Sequence, residues 1–396
     1  MMLKFLILGA GPAGLTMANL LKDSGEENFL VLEKEKSAGG LCRSEEVGGF
    51  PLDFGGGHFL DARKSEGQEY ILSFMPLEEW NFYPCIRKID LGRVVIDYPM
   101  EAQIHQLPLE DQVEYLKSIA YAGANIDLPK PEKFEEWAYW KLGEKIAGEY
   151  LVPYNKKMFG KYFDELGTYW LDKLPTVNFE DTLLSCLEKK MHGQYPSHGA
   201  FYYPKTAGYG EVWDRMAERV KGNIEYNVSV DKLDCEKTTI NDTYSAEYII
   251  NTIPWTEFKD ISGCHAKIAG YCKELPYTSL EVRYFEEDRE DNAHWVFYPD
   301  LNLPYHRRFY RNNFIEGGHG GFYETNTERL VPAEGWKYVN QYAYPCNTVK
   351  KREMIKAILQ EMEKHNIFGV GRWGEWEHFN SDTVVNRVIS ISKKFL

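Results

Sequence analysis

Phe5-Leu6-Ile7-Leu8-Gly9-Ala10-Gly11-Pro12-Ala13-Gly14 opens the first unit of the chain, and Phe29-Leu30-Val31-Leu32-Glu33 closes it. The four apolar residues read as a short buried strand, the Gly-x-Gly-x-x-Gly run as a tight turn, and Leu15 to Leu21 as a helix. The second apolar run is a parallel strand ending on an acid. Strand, glycine turn, helix, strand and acid in that order predict a dinucleotide-binding βαβ unit. Gly9 permits the turn, Gly11 lets backbone approach a pyrophosphate, and Gly14 allows the helix to pack closely, while the helix N-terminus presents positive dipole to phosphate. Glu33 is placed to accept hydrogen bonds from a ribose diol. Glycines alone are a weak signal because they punctuate loops everywhere, so the flanking elements carry the reading.

A chain of 396 residues exceeds what one core usually supports, which predicts two or three lobes. Its 43% hydrophobic and 27% charged residues are those of a globular protein. A net charge of −14 opposes nonspecific attraction to nucleic acid or an anionic membrane, so an anionic ligand needs a local cluster of Arg or Lys. Seven cysteines without a C-x-x-C suggest neither a zinc site nor a disulfide framework, and a reducing cytoplasm is the expected compartment. The apolar start runs directly into the glycine turn, and no uncharged stretch long enough for a membrane span follows.

Past Glu33 the sequence continues with Lys34, Ser37, Gly39-Gly40 and Arg43. This resembles the second fingerprint of the flavoprotein superfamily that includes amine oxidases and protoporphyrinogen oxidase, and the resemblance implies FAD as the cofactor. Helical periodicity returns over Leu109 to Ala122 and Phe134 to Tyr150, and again from Gly208 to Val220. Ile224 to Ile240 reads as short antiparallel strands, and Glu247 to Pro254 as a buried strand returning to the nucleotide sheet. Lys350 to Lys364 is a helix, Phe368 to Arg372 a strand running into a loop, and Asp382 to Ile389 a closing helix. The expected fold class is α/β: a discontinuous Rossmann-like FAD-binding domain (1–80, 200–262 and 350–396), an inserted helical lobe (100–190), and a mostly antiparallel β substrate lobe (81–99 and 265–345).

Five segments are similar to the UDP-galactopyranose mutase family. Gly56-Gly57-His58-Phe59 resembles a segment lying against the reacting face of the flavin. Tyr154-Asn155-Lys156-Lys157-Met158-Phe159-Gly160 resembles one that holds the nucleotide base, with Phe159 where the family has Trp. Pro304-Tyr305-His306-Arg307 resembles the segment that supplies a diphosphate arginine, and Tyr342-Ala343-Tyr344-Pro345 one bearing a substrate-side Tyr. Gly371-Arg372-Trp373-Gly374-Glu375-Trp376 through Asp382-Thr383-Val384 resembles the signature that closes over the flavin.

The resemblance implies a mutase that interconverts the pyranose and furanose forms of a nucleotide-activated sugar through attack by reduced flavin N5, in surface polysaccharide biosynthesis. It implies Arg307, His58 and Arg372 as catalytic residues, and Tyr154, Phe159, Tyr305, Arg307 and Tyr344 as substrate contacts. The implied cofactor set is Gly9, Gly11, Gly14, Glu33, Lys34, Gly39, Gly40, Arg43, Gly57, His58, Gly371, Arg372, Asp382, Thr383 and Val384. Arg308 and Arg311 stand as alternatives to Arg307. The sequence also departs from the family. Lys173-Leu174-Pro175-Thr176-Val177 ends on Val177 where the family places a second diphosphate arginine, and Asp61 replaces a second His. An external reductant such as NAD(P)H and a homodimer are compatible with this reading. The alternative function is an oxidase or dehydrogenase of the amine oxidase or protoporphyrinogen oxidase type, built on the same cofactor domain.

Overall fold

The computed structural model describes residues 2–171, 177–193 and 199–396. The first unit forms as its pattern dictates: β1 (Leu3–Leu8), α1 (Pro12–Asp23) and β2 (Phe29–Glu33). Proline at the first turn of α1 costs no hydrogen bond, because that backbone position has no helical partner. β1 pairs in parallel with β2 on one side and with the strand Tyr244–Asn251 on the other, and its Phe5 to Leu8 are buried. Burial on both faces explains why the run is apolar without alternation.

These strands belong to an eight-stranded sheet with contributions from residues 3–33, 224–262 and 367–369. Ile224–Tyr226 runs parallel to β2, whereas the sequence reading expects antiparallel strands across Ile224 to Ile240. It follows the helix Gly210–Arg219, which packs on α1, and a helical crossover returns the chain in the parallel sense. Antiparallel pairing is confined to Lys232–Asp234, Thr239–Ile240 and Tyr244–Asn251. After the strand Ile367–Gly369 the chain enters a short helix, Gly371–Gly374, rather than a loop, and the helix Ser381–Ser392 packs against α1.

A second sheet of seven strands orders Lys337–Pro345, Tyr277–Phe285, Gly321–Asn326, Arg307–Tyr310, Trp295–Phe297, Arg87–Asp90 and Val95–Asp97. Its pairings are antiparallel except between Trp295–Phe297 and Arg87–Asp90. Helices Leu109–Ala120, Phe134–Ile146, Val152–Phe159 and Phe179–Glu188 lie between these regions in sequence. Among the described residues no helix is long and apolar enough to cross a membrane.

Lys157 ties the helix Val152–Phe159 to the second sheet. It is fully buried, and its ammonium donates to the carbonyl oxygens of Tyr298 (2.8 Å) and Asp300 (2.7 Å). Burial, reinforced by the Arg329 charge, pulls its pKa down to about 7. The unfolded chain holds that proton until about pH 10.4, so between these values the unfolded state binds more protons and stability rises with pH. The difference in unfolding free energy between the parent and Lys157→Met is expected to grow from pH 7 upward, by at most about 1.4 kcal/mol per pH unit, in urea titrations at constant ionic strength. A difference that stays flat across that interval would mean the amine is effectively solvated.

Candidate active site

A groove of ≈ 320 Å³ runs along the C-terminal edge of β1 and β2, lined among others by Gly9, Gly11, Glu33, Gly40, His58 and Arg372. Two glycine turns meet there. A Cβ built on Gly40 would lie 3.2 Å from the Gly11 Cα, one built on Gly11 would lie 3.8 Å from the Gly40 Cα, and Gly39 N–H donates to Ala10 O at 2.8 Å. Gly14 answers a different need: its Cβ would fall 1.9 Å from the Gly9 carbonyl oxygen, so it is required by packing alone.

Glu33 is buried at the end of β2, and its carboxylate accepts from the backbone N–H of Ala10 (2.7 Å) and of Glu35 (2.9 Å). Burial raises its pKa, partly offset by those two donors. The acid therefore braces the first glycine turn. Lys34 pairs with Glu257 at 2.8 Å, and Arg43 donates to Gly40 O (3.0 Å) and to the Tyr338 hydroxyl (2.9 Å). From the far end of the chain, Gly371 adopts φ +80°, and a Cβ there would meet that of Ala13 at 2.8 Å. Ser381 and Val384 also line the groove, while Asp382 is buried and Thr383 half-buried in the same helical turn.

Next to the groove lies a buried polar cluster centred on Glu324, whose side chain is fully buried. Cross-strand pairing sets Arg307 directly opposite it. One carboxylate oxygen, Oε2, accepts from Arg307 Nε (3.1 Å) and Nη2 (2.6 Å) and lies 3.3 Å from His306 Nε2. The other, Oε1, accepts from Gly57 N–H at 3.3 Å, and a Cβ on Gly56 would fall 2.1 Å from it. The loop carrying His58 is thus seated on the same carboxylate. Arg307 Nη2 also donates to the Tyr344 hydroxyl at 2.9 Å.

Burial disfavours the charge on Glu324, yet Arg307 and His306 more than offset it and hold the carboxyl at about 2. Burial likewise opposes the charge on Arg307, and Glu324 outweighs it, so its pKa stands above the ordinary value. Burial beside Arg372 pulls His58 down to about 4, and burial near Glu324 pushes Tyr344 up to about 12. At neutral pH the imidazole and the phenol are both uncharged. Arg372 donates to Phe379 O (3.0 Å) and Ala343 O (3.2 Å) with its guanidinium over the Tyr344 ring, so His58 and Arg372 are shared by groove and cluster.

Tyr154 packs on Phe297 and lies 5.7 Å, ring to ring, from His306, which brings it to the cluster. Phe159 is buried against Trp170. Tyr305 packs against Tyr298 and Tyr323, alongside Arg308, whose guanidinium stacks 3.9 Å from the Phe285 ring centroid and pairs with Glu287. Arg311 is fully buried and donates to the carbonyls of His319, Val47, Phe50 and Pro51. Val177 is buried, and residues 173–176 beside it lie outside the described residues. The sequence reading missed Glu324 and His306. Finding Glu324 requires the hairpin register, which pairs Arg307 with it across a long loop.

Residues 7–71 match the NAD(P)-binding Rossmann-like domain. The chain is 22% identical to dTDP-fucopyranose mutase of Escherichia coli over 99% of its own length and 98% of that protein. It is 19% identical to UDP-galactopyranose mutase of Mycoplasma pneumoniae over 99% and 96%. A crystal structure of reduced UDP-galactopyranose mutase superimposes with a TM-score of 0.88 at 21% identity, covering 100% of this chain and 94% of that one.

The chain has the UDP-galactopyranose mutase fold. Because the match spans the full length, the glycine turns, the Arg307 strand and the Gly371–Val384 closure all lie inside the shared UDP-galactopyranose mutase architecture.

The contrast between Gly11 and Gly14 gives a direct test. Gly14→Val should cost several kcal/mol of stability, read as a lowered thermal midpoint, because backbone occupies the space of its Cβ. Gly11→Val should fold with a near-parental midpoint yet fail to retain an added flavin cofactor, because its side chain would fill only the groove. Flavin absorbance retained by Gly11→Val after desalting would mean that the groove is not the pyrophosphate site.

Proposed function

We propose that the protein is an FAD-dependent mutase that interconverts the pyranose and furanose forms of a nucleotide-activated sugar, serving surface polysaccharide biosynthesis in the cytoplasm. The observation that carries this reading is the junction of a dinucleotide groove with a cluster in which Arg307 is the exposed edge of a buried ion pair. Full-length similarity to two mutases that differ in both nucleotide and sugar supports the reaction class.

The residues present fit FAD. Gly11 opens onto the groove at the N-terminus of α1, where backbone N–H groups and helix dipole suit a pyrophosphate. Glu33 and Lys34 stand at the ribose end of the fingerprint, Arg43 and the Gly39-Gly40 turn face it, and Gly57, His58, Gly371, Arg372, Asp382, Thr383 and Val384 would enclose the isoalloxazine end. FAD in its reduced form supplies an electron-rich nitrogen as nucleophile, with NAD(P)H or another external donor as the reductant.

The chain's own residues deal with the leaving group and with water. As the bond between the anomeric carbon and the diphosphate oxygen breaks, negative charge grows on the diphosphate, and Arg307 is the guanidinium placed to accept it. Tyr344, whose phenol stays protonated, adds a neutral donor beside it. Arg307, Arg372 and Glu324 leave the site with one net positive charge, while His58 stays neutral and does not compete for the anion. Buried Tyr154 and Tyr344 keep the cavity apolar around a water-sensitive sugar. We assign Phe159 and Tyr305 to the outer substrate wall and take a homodimer as the working assembly.

The test is incubation of dithionite-reduced and of oxidised enzyme with UDP-, GDP- and dTDP-sugars, separating pyranose from furanose products by chromatography. Product is expected only under reducing conditions. Oxygen consumption with an amine or a ring substrate, without isomerisation, would sink the proposal in favour of an oxidase. Arg307→Ala should lower kcat/KM by about 10²–10³-fold, equivalent to ~3–4 kcal/mol, because an unneutralised diphosphate leaves poorly from a dry site.

A further inference from the structure

We infer that His306 takes up a proton when a diphosphate binds and thereby frees the charge of Arg307, standing in for a second cation at the site. The inference rests on the reading of Arg307 as the diphosphate ligand. His306 is fully buried, and its Nε2 lies 3.3 Å from the same Glu324 oxygen that receives both Arg307 nitrogens. Neither ring nitrogen makes a hydrogen bond of good geometry among the described residues, so Nε2 meets Glu324 by proximity alone and one ring nitrogen is open to a proton.

One carboxylate oxygen serving two cation-forming side chains makes their charges interdependent. With His306 neutral, Glu324 cancels the charge of Arg307 alone, and an incoming dianion meets a nearly neutral pair. With His306 protonated, the carboxylate is shared and the pair becomes a triad with one net positive charge. The other groups facing the imidazole are Lys157, whose pKa burial brings down to about 7, and the uncharged Tyr154 ring. In the unliganded protein burial keeps the His306 pKa below its ordinary value, against the pull of Glu324. A dianion at Arg307 raises it, and the proton comes from solvent. Affinity then strengthens as pH falls through the imidazole range. Val177, buried and uncharged, supplies no competing cation at the position where the sequence would otherwise offer an arginine.

Isothermal titration of the oxidised, flavin-loaded protein with UDP-galactose, and in parallel with dTDP-glucose, tests this in buffers of differing ionisation enthalpy. These diphosphate diesters carry no group that titrates near neutral pH, so any buffer dependence of the heat counts protons taken up by the protein. Near pH 7 the parent should absorb a measurable fraction of a proton per ligand, and His306→Asn should absorb clearly less, no more than Lys157 with its pKa of about 7 contributes. The variant should also flatten the pH dependence of Kd and bind roughly tenfold more weakly at pH 6 than the parent, with its flavin content unchanged. Parental uptake in His306→Asn overturns the inference, as does ligand binding to the parent without uptake, and both leave Arg307 as the diphosphate ligand. No heat with either nucleotide sugar overturns the inference together with the functional reading. A second variant, His306→Gln, guards against a local packing defect: it should match His306→Asn, and uptake restored in it would equally overturn the inference.

Discussion

Glu324 holds a full negative charge at a place with no exposed surface, which is tolerable only because Arg307, His306 and the Gly57 amide converge on it. That requirement works outward. The strand Arg307–Tyr310 must pair with Gly321–Asn326 in the register that opposes the two charges, and the chain at Gly56 must come closer than any side chain permits. Removing either partner would leave an uncompensated ion in the interior, so the geometry of the site and the stability of the second sheet are the same constraint seen from two sides.

The nucleotide groove obeys a different logic. Its walls are backbone, brought together at Gly11 and Gly40, and its acid, Glu33, braces the glycine turn through Ala10 N–H while also accepting from Glu35 N–H. Preorganised N–H groups and a helix terminus need no titratable partner, which suits a site that only binds. In the proposed function, chemistry falls to the place where His58 and Arg372 join the groove to the ion cluster. Lys157 keeps the helix bearing Tyr154 docked on that region through two backbone carbonyls rather than through a carboxylate, so the contact adds no negative charge near an anion site.

The groove was legible in the sequence because its determinants are local: glycines at fixed offsets, a strand before them and an acid after the next strand. Gly9, Gly14 and Gly40 each occupy a place where a Cβ would be strained or crowded, and a pattern of glycines records that need directly. The closing helix was legible from its own periodicity, whereas the segment at Gly371 was marked by resemblance and is a short helix where a loop is expected. The cluster was only half visible. Arg307 could be picked out by resemblance, but the carboxylate opposite it lies beyond a long connection, and His306, inside the same segment, shows its partner only once Glu324 is placed. The parallel strand Ile224–Tyr226 was misread because short apolar segments carry no sign of strand direction, which the preceding helical crossover decides. Arg308 and Arg311 stand on sequence as alternatives to Arg307, and the fold separates them: one stacks on Phe285, and the other pins the Val47–Pro51 hairpin.

The tether made by Arg311 bears on how this chain tolerates insertions and deletions. Adjacent residues of a strand point to opposite faces, so Arg307 and Arg308 would exchange places if the strand slipped by one residue. Arg311, gripping the carbonyls of Val47, Phe50 and Pro51, fixes the strand's exit and acts as a ratchet against that slip. Residues 312–319 are held as well: Phe314 and Ile315 are buried, and the Asn313 amide donates to the carbonyls of Asp291 and Ala293. A single-residue insertion or deletion between Arg307 and Arg311 would rotate the strand and set Arg308 opposite Glu324 in place of Arg307, so this stretch tolerates substitution but not a change of length.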